Sequence, residues 1–163
     1  MPLFLGGGRT AVNRYWETCA FDELSTTELY ELLRLRQEVF VVEQRSIYLD
    51  LDGKDLAAVH MRCRDGERLL AYQRLLPPGL SYPESAMGRI VVAPAARGGS
   101  LGRELVRRGI EHNLKCWPSH DIRINAQSYL EAFYRDLGFV TDSDEYDEDG
   151  IPHIQMLYRR TQG

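Results

Sequence analysis

The sequence predicts a layered fold of helices packed on a sheet, of the α/β or α+β class. Two features support this prediction. Short apolar runs typical of strands alternate with longer stretches in which apolar residues recur with the spacing of one helix face. Turns rich in glycine, proline and aspartate separate these segments, giving the order helix, strands, helix, strand, helix, strands. The chain has 163 residues and no internal repeat or break in composition. We therefore predict a single domain over residues 13–163, preceded by a flexible N-terminal segment at residues 1–12.

The first helix is predicted over about residues 26–38. Ser25 and Glu28 have the S-x-x-E spacing of a capping box, in which the hydroxyl and the carboxylate accept hydrogen bonds from free backbone amides. The apolar stripe that follows consists of Leu29, Leu32, Leu33 and Phe40. Residues 40–44 and 50–55 are expected to form a connecting segment, too polar and glycine-broken for the core but long enough to wall a binding site.

The middle of the chain predicts a hairpin, a buried strand and a second helix. Residues 58–63 and 69–76 are β-compatible runs joined by an Asp-Gly turn signal, which predicts two antiparallel strands. Residues 87–93 contain the continuous apolar run of a strand that is buried on both faces. The stretch from Leu101 to Pro118 keeps an i, i+4 apolar pattern, so it is predicted to be a long helix.

The last third of the chain predicts a strand, a short helix and two further strands. Residues 121–126 alternate between polar and apolar side chains, as a strand does. Ser128 and Glu131 repeat the capping-box spacing at the start of a third helix, which Gly138 ends. Two final strands are expected to flank the acidic turn at residues 142–150.

Composition and charge narrow the range of functions. The sequence is 44% hydrophobic and 27% charged, the balance of a soluble globular protein. Its 20 basic and 24 acidic residues give a net charge of -4, so nucleic acid is not an expected partner. No apolar stretch approaches the roughly 18 residues of a membrane span, and the N-terminus does not have the charge pattern of a signal peptide. We therefore expect no membrane partner and a cytoplasmic location.

The three cysteines, Cys19, Cys63 and Cys116, show neither paired nor metal-ligand spacing. An odd number of cysteines without such spacing suits a reducing compartment and argues against a disulfide framework. No grouping of His, Cys, Asp and Glu along the chain has the spacing of a catalytic metal site, so we expect no metal cofactor.

A glycine-containing turn follows the buried strand and opens the second long helix. Backbone amides without partners at the positive end of a helix dipole form a site for an anion such as phosphate. Gly98, Gly99 and Gly102 permit close backbone approach, and Arg97 and Arg103 can pair with further phosphates. Neither the P-loop nor the dinucleotide-binding motif is present. By itself the turn is more typical of an ordinary exposed connection between a strand and a helix.

The surrounding sequence resembles a known family. Residues 89–105 resemble the acetyl-CoA-binding motif of the GNAT superfamily of N-acetyltransferases, a strand followed by Arg/Gln-x-x-Gly-x-Gly/Ala and a helix. Residues 126–139 resemble the later motif of the same superfamily, a strand and helix that complete the cofactor cleft. Over about residues 15–158 the chain is similar to the small bacterial ElaA-like subgroup, on segments at 29–30, 35–36, 39–44, 50–52, 126–127 and 148–153.

The resemblance implies a mixed, mostly antiparallel central sheet flanked by helices, with a cleft for acetyl-CoA. By position, the backbone of Ile90, Val91 and Val92 is expected to hydrogen-bond the pantetheine arm. The pyrophosphate is expected to bind the turn residues Arg97, Gly98, Gly99, Ser100, Leu101, Gly102 and Arg103. Ser100 stands where the family pattern has its first fixed glycine, and Gln127 replaces the more common asparagine of the second motif.

The resemblance also suggests catalytic roles. Tyr134 stands where the superfamily often has the general acid that protonates the departing thiolate, and a phenol with an ordinary pKa of about 10 is able to do so. The alternative is a tyrosine that only fills the core. Glu43, His60 and His153 are candidates for the general base by residue type, although each is also compatible with a structural role.

The acidic residues between 142 and 149 do not fit a calcium loop, because the twelfth position falls on Met156 instead of a glutamate. Together with Asp50, Asp52 and Asp55 they are expected either to attract a cationic amine or to form a solvated surface.

These observations predict an acetyl-CoA-dependent N-acetyltransferase that moves an acetyl group to a primary amine by direct attack in a ternary complex. The expected partners are a small-molecule or peptide amine and, in a homodimer, a second copy of this chain. The alternatives are a non-catalytic CoA- or acyl-CoA-binding sensor or interaction module, and a purely structural module.

Overall fold

The computed structural model describes residues 13–161, so the flexible segment predicted for residues 1–12 lies outside the described residues. It forms one eight-stranded sheet whose order is β1-β2-β3-β4-β5-β8-β6, with β7 paired to β8. The strands are β1 (Arg14–Ala20), β2 (Val59–Asp65), β3 (Arg68–Leu76), β4 (Ser85–Val92), β5 (Ile122–Gln127), β6 (Val140–Thr141), β7 (Tyr146–Glu148) and β8 (Ile151–Tyr158). The α-helices are α1 (Thr26–Arg36), α2 (Leu101–Cys116) and α3 (Glu131–Asp136).

All strand pairs are antiparallel except β4 with β5, which run parallel. The predicted α/β layered fold with a mostly antiparallel sheet is therefore confirmed. No helix within residues 13–161 is long and apolar enough to cross a membrane.

The first helix begins where the capping box predicts. The Glu28 amide donates to Ser25 Oγ at 3.1 Å, and the Ser25 amide donates to Glu28 Oε2 at 2.9 Å. The α-helix ends at Arg36 and continues as a π-helical segment, Gln37–Glu43. This corrects the sequence prediction for residues 40–44, because the π-helical turn replaces an irregular connection and buries Val39 in the core.

Two other local predictions have different outcomes. The Asp-Gly signal does form the β2–β3 hairpin, with Gly66 at φ +58°, a conformation that glycine adopts at little cost. The second capping box is wrong: a short 3-10 turn, Ser128–Leu130, precedes α3, and Ser128 Oγ is buried with no hydrogen-bond partner among the described residues.

Two edge strands of the sheet were not predicted from the sequence. Strand β1 pairs with β2 from Arg14 opposite Asp65 to Ala20 opposite Val59. Strand β7 lies within the acidic segment that was predicted to be only a turn, and it pairs with β8.

Helices cover both faces of the sheet. Helices α2 and α3 pack on one face, over a core that includes Leu105, Ile124 and Met156. Helix α1 packs on the other face through Leu32 and Leu35. Alternate residues of the central strands therefore contribute to separate cores, as expected of strands buried on both faces.

Candidate active site

Strands β4 and β5 diverge soon after they begin to pair. Their parallel pairing consists of Ser85 opposite Ile122 and Ala86 opposite Arg123. Strand β4 continues to Val92, and β5 continues to Gln127 along its pairing with β8. The edge of β4 that faces β5 therefore carries backbone groups without a partner strand, which need another hydrogen-bond partner when a ligand excludes water.

The gap between the two strands is a cleft of about 620 Å³. Residues of the π-helical segment, the start of α2, α3 and the β7–β8 turn all line it. The sequence-predicted residues that line it are Glu43, Ile90, Val91, Val92, Arg97, Gly102, Gln127, Tyr134 and His153.

A bulge in β4 shapes the upper edge of the cleft. The β3–β4 register shifts between Tyr72 and Arg74, and opposite this shift Arg89 adopts φ +50°, which is costly for a residue with a side chain. Contacts hold it there: Arg89 Nε lies 2.7 Å from Asp50 Oδ1, and Nη2 donates to the Asp50 carbonyl at 3.0 Å. The guanidinium also lies 5.5 Å from the centre of the Tyr48 ring.

A buried ion network lies behind this bulge. Arg36 is fully buried and contacts Asp50 Oδ2 at 2.9 Å and Asp55 Oδ1 at 2.7 Å. Arg74 contacts Asp52 Oδ2 at 2.5 Å and Asp55 Oδ1 at 3.1 Å. Neither expectation for Asp50, Asp52 and Asp55 holds: arginines of the same chain already pair with all three, and Asp50 and Asp55 are buried instead of solvated.

The network also shifts the ionisation of its carboxylates. Burial opposes the charged form of Asp52 and Asp55, but hydrogen bonds from Arg74 and Arg36 outweigh it and hold the pKa of both carboxyls below the usual range. Both side chains therefore remain charged through the neutral range.

The glycine turn lies between the end of β4 and the start of α2. Gly98 has φ +92°, and Ser100 precedes the helix without a side-chain capping bond. The first amides of α2 have no acceptor within the helix, as at any helix start. Only Arg97 and Gly102 of the predicted turn residues line the cleft, while Leu101 is buried and anchors the helix to the core. Arg103 lies 3.7 Å from Asp136 of α3.

Arg97 is held in place by two contacts. Its Nε donates to the Val92 carbonyl at 3.1 Å, and its two terminal nitrogens contact the carboxylate of Glu43 at 2.6 and 3.0 Å. The hydrogen bond from Arg97 lowers the pKa of Glu43. Glu43 thus reaches the cleft as an ion-paired carboxylate.

Tyr134 lies on α3 and is only 6% exposed. It contacts Phe133 and Phe139 edge-on, with ring centres 5.1 and 5.8 Å away. Its hydroxyl has no hydrogen-bond partner among residues 13–161, and burial raises its pKa well above the usual range. The side chain is therefore a neutral phenol that lines the cleft.

His60 does not reach the cleft. Its ring is fully buried, with Nδ1 at 2.7 Å from the Tyr72 hydroxyl and Nε2 at 2.9 Å from the Asp55 carbonyl. Burial lowers its pKa, so the ring is neutral. Both nitrogens are occupied by structural contacts.

His153 does reach the cleft, within a group of polar side chains. Its Nδ1 lies 2.7 Å from the Ile151 carbonyl, and its Nε2 lies 3.4 Å from Glu148 Oε2. Asn125 Nδ2 donates to the same Glu148 oxygen at 2.6 Å, and the Tyr146 hydroxyl hydrogen-bonds Asn125 Oδ1. Sequence reasoning missed Asn125 and Tyr146, although Asn125 alternates with apolar neighbours on β5 and so marks a polar face.

Two hydrogen bonds connect the segment after the π-helical turn to other elements that line the cleft. Gln127 Nε2 donates to Gln44 Oε1 at 3.0 Å, and Ser46 Oγ donates to the Asp149 carbonyl at 3.0 Å. The segment after the π-helical turn thus contacts both β5 and the β7–β8 turn, as expected of a binding wall.

The cleft offers hydrogen-bonding groups to a long, polar, phosphate-bearing ligand such as an acyl-CoA. The described residues form no metal site. The unpaired edge of β4 presents backbone donors and acceptors along the cleft, and the free amides of α2 lie at its end. Among residues 13–161, no group of three or more His, Cys, Asp or Glu side chains is close enough together to hold a metal ion.

Comparison with known proteins agrees with this geometry. Residues 78–160 match the family model for the acetyltransferase (GNAT) domain. The chain belongs to the GNAT acetyltransferase family. It is therefore an acyltransferase, and its fold implies the use of an acyl-CoA.

Individual GNAT relatives are similar over most of their length. The protein ElaA of Escherichia coli is 38% identical over 143 residues, which cover 86% of this chain and 94% of ElaA. The crystal structure of E. coli ElaA superimposes with a TM-score of 0.85, covering 90% of this chain and 99% of that one. An acyl-CoA N-acyltransferase from Pseudomonas aeruginosa matches with the same TM-score, 38% identity and the same coverage.

Proposed function

We propose that this GNAT protein is an acetyl-CoA-dependent N-acetyltransferase that acts on a primary amine by direct attack in a ternary complex. The observation that carries the proposal is that the unpaired edge of β4 and the neutral phenol of Tyr134 line one cleft. Acetyl-CoA supplies an activated thioester when bound, and the remaining chemistry is to orient two substrates and to move protons.

The backbone of Ile90, Val91 and Val92 is suited to orient the pantetheine arm. These residues are apolar, so only their amides and carbonyls can hydrogen-bond a ligand. The turn from Gly98 to Arg103 then receives the pyrophosphate on the free amides of α2. Arg97 lies at the junction of the two subsites, where it can pair with a phosphate.

Tyr134 is suited to be the general acid. Burial raises the pKa of this phenol, which keeps it protonated at neutral pH but makes it a weaker acid. Transfer of its proton to the departing thiolate therefore has to accompany the breaking of the C–S bond. A covalent acyl-cysteine is not needed, since Cys19 and Cys63 are thiols whose pKa is raised by burial and Cys116 lies outside the cleft.

The test is acetyl-CoA binding followed by turnover on amines of different classes. Calorimetry with acetyl-CoA should show binding to one site, and free CoA should accumulate steadily with one class among polyamines, amino acids and lysine peptides. CoA should be measured by chromatography, because the exposed Cys116 would react with a thiol reagent. Binding without CoA release would instead support a CoA sensor, and absence of binding would support a structural module.

A further inference from the structure

The part of the sheet formed by β5, β7 and β8 has one apolar and one polar face at the cleft. Ile124, Ala126, Ile154 and Met156 are buried in the core under α2 and α3, and this core includes Tyr134. The residues between them point the other way. Gln127 and Tyr146 both lie opposite His153 in the strand register, so the three form a cross-strand row on the polar face.

A hydrogen bond on this polar face fixes the tautomer of neutral His153. A carbonyl oxygen can only accept, so the 2.7 Å contact with Ile151 requires a proton on His153 Nδ1. The neutral ring therefore has its lone pair on Nε2, 3.4 Å from the Glu148 carboxylate. When Nε2 accepts a proton, that contact changes from a repulsion between lone pairs into an ion pair.

Glu148 is in turn held in position by its neighbours. Asn125 donates to its Oε2 at 2.6 Å, and the Tyr146 hydroxyl fixes the orientation of the Asn125 amide. The Tyr146 ring also stacks on His153, with ring centres 6.3 Å apart and planes inclined by 27°. No arginine or lysine within residues 13–161 pairs with Glu148, in contrast to Glu43, which is paired with Arg97. Glu148 can therefore accept a cation.

We infer that His153 is the general base of the acyl transfer and that Glu148 binds the ammonium group of the acceptor, with Asn125 and Tyr146 as positioning residues. This inference rests on the proposed function and deepens it. The acceptor approaches from the polar face of the sheet, opposite the core that carries Tyr134. The other two candidate bases fit less well, because Glu43 is ion-paired and His60 lies outside the cleft.

The proton balance of the reaction follows from these positions. His153 Nε2 takes one proton from the ammonium that Glu148 holds, and the free amine then attacks the thioester carbon. As the C–N bond forms and the C–S bond breaks, Tyr134 gives its proton to the sulfur. The excess proton on the new amide nitrogen restores the phenol, and His153 releases its proton to solvent. The net products are the amide, free CoA and one proton.

The decisive variant is His153→Gln, measured in single-turnover mode with the amine class that gives the fastest CoA release. The rate of the chemical step should fall by about 10²- to 10⁴-fold at pH 7, and the acetyl-CoA dissociation constant should be unchanged. The residual rate should then rise about tenfold per pH unit towards the pKa of the amine, because an unprotonated amine needs no base. A histidine with only a structural role would not produce this recovery.

Glu148→Gln tests the ammonium site separately. The amide can still accept the hydrogen bond from Asn125, so the change removes the charge and little else. KM for a cationic amine should rise about tenfold, with unchanged affinity for acetyl-CoA. The matched controls are Glu145→Gln, an exposed acid in the same segment, and His120→Gln, an exposed histidine outside the cleft.

The possible outcomes separate this inference from the proposed function. A wild-type pH profile in His153→Gln would overturn the assignment of the base while the acetyltransferase activity stands. If KM for the cationic amine rose equally in Glu145→Gln and Glu148→Gln, the general negative charge of the segment would attract the amine. That result would overturn the assignment of Glu148 as the ammonium site. Acetyl-CoA binding without CoA release from any amine class would overturn the proposed function and this inference with it.

Discussion

Glu43 and Arg97 form a two-point ion pair across the mouth of the cleft, with nitrogen to oxygen distances of 2.6 and 3.0 Å. Glu43 ends the π-helical segment and Arg97 precedes the glycine turn. The pair therefore joins the wall of the cleft to its proposed pyrophosphate site. A phosphate that binds Arg97 has to compete with the Glu43 carboxylate.

Glu43→Gln should therefore strengthen the binding of acetyl-CoA. The amide cannot form an ion pair, so Arg97 becomes available to a phosphate, and affinity should increase about threefold at low salt. Calorimetry at two salt concentrations measures this, with Glu38→Gln on the preceding turn as the control, since Glu38 pairs with Arg34 instead. If Glu43 were the general base, the rate of the chemical step would fall without the tighter binding.

Gly102→Pro should abolish acetyl-CoA binding and leave the fold intact. Proline is tolerated in the first turn of a helix, and Gly102 is the second residue of α2, so the main loss is one amide donor at the anion site. Gly102→Ala is the matched control: it keeps the amide, and its Cβ would lie at ordinary contact distances of 3.8 Å from Val92 and 3.9 Å from Phe133. Equal affinities of the two variants would exclude this turn as the phosphate site.

The sequence was sufficient for features that depend on near neighbours. The Ser25–Glu28 capping box and the Asp65-Gly66 turn are formed by residues adjacent in the chain, and both are present. The capping box predicted at Ser128 failed because a 3-10 turn intervenes between it and α3. Spacing alone cannot show which of two local conformations the tertiary contacts favour.

Features that depend on distant partners could not be read from the sequence. Arginine and aspartate usually lie on the surface of a protein. Arg36 and Asp55 are 19 positions apart in the sequence, and only the fold brings them into contact in the interior. The bulge at Arg89 likewise requires the contact with Asp50, which lies in a segment that looked too polar for the core. The predicted site residues that line the cleft all belong to segments that resemble the family motifs.

Asp55→Asn should destabilise the fold most at neutral pH. The change removes the negative charge that pairs with Arg36 and Arg74 inside the protein. Breaking a buried ion pair in this way lowers the free energy of unfolding by about 3 kcal/mol. The folded-state pKa of Asp55 is depressed, so its contribution is present above the ordinary pKa of about 4 and is lost as pH falls through the lower folded value.

Urea unfolding at pH 7 and in the acid range measures this dependence. The difference between wild type and Asp55→Asn should shrink as the pH falls below about 4, because the unfolded chain then takes up a proton on Asp55 that the folded protein does not. Asp22→Asn, an exposed acid, should show little difference at either pH. A constant difference at all pH values would mean that the packing of Asp55, and not its charge, stabilises the fold.

Gly109→Ala should lower the stability of the core beneath the cleft. A Cβ at this position of α2 would lie 2.6 Å from Met87 Cε and 2.7 Å from Gln73 Nε2, too close for either atom. Gln73 also donates to the Leu105 carbonyl at 2.7 Å, so it is not free to move. We expect a loss of about 1–3 kcal/mol in thermal or urea unfolding. Gly99→Ala, which meets open space, is the control.

Tyr134→Phe separates catalysis from packing. The ring contacts with Phe133 and Phe139 remain, and the hydroxyl has no hydrogen-bond partner among residues 13–161 to lose. Stability should therefore be nearly unchanged. Loss of a positioned general acid typically lowers the rate of the chemical step by about 10²- to 10⁴-fold, and we expect a decrease within this range. The acetyl-CoA dissociation constant should stay the same, because the pantetheine arm is bound by the backbone of β4.

The measurement should be made in single-turnover mode, since product release can limit steady-state turnover and hide a slower chemical step. Tyr158→Phe is the matched control: its ring contacts the same Phe139 at 5.5 Å, but it does not line the cleft. A tyrosine that only fills the core would give a wild-type single-turnover rate at position 134. That result would remove the phenol as the proton donor and would leave water as the source of the proton for the departing thiolate.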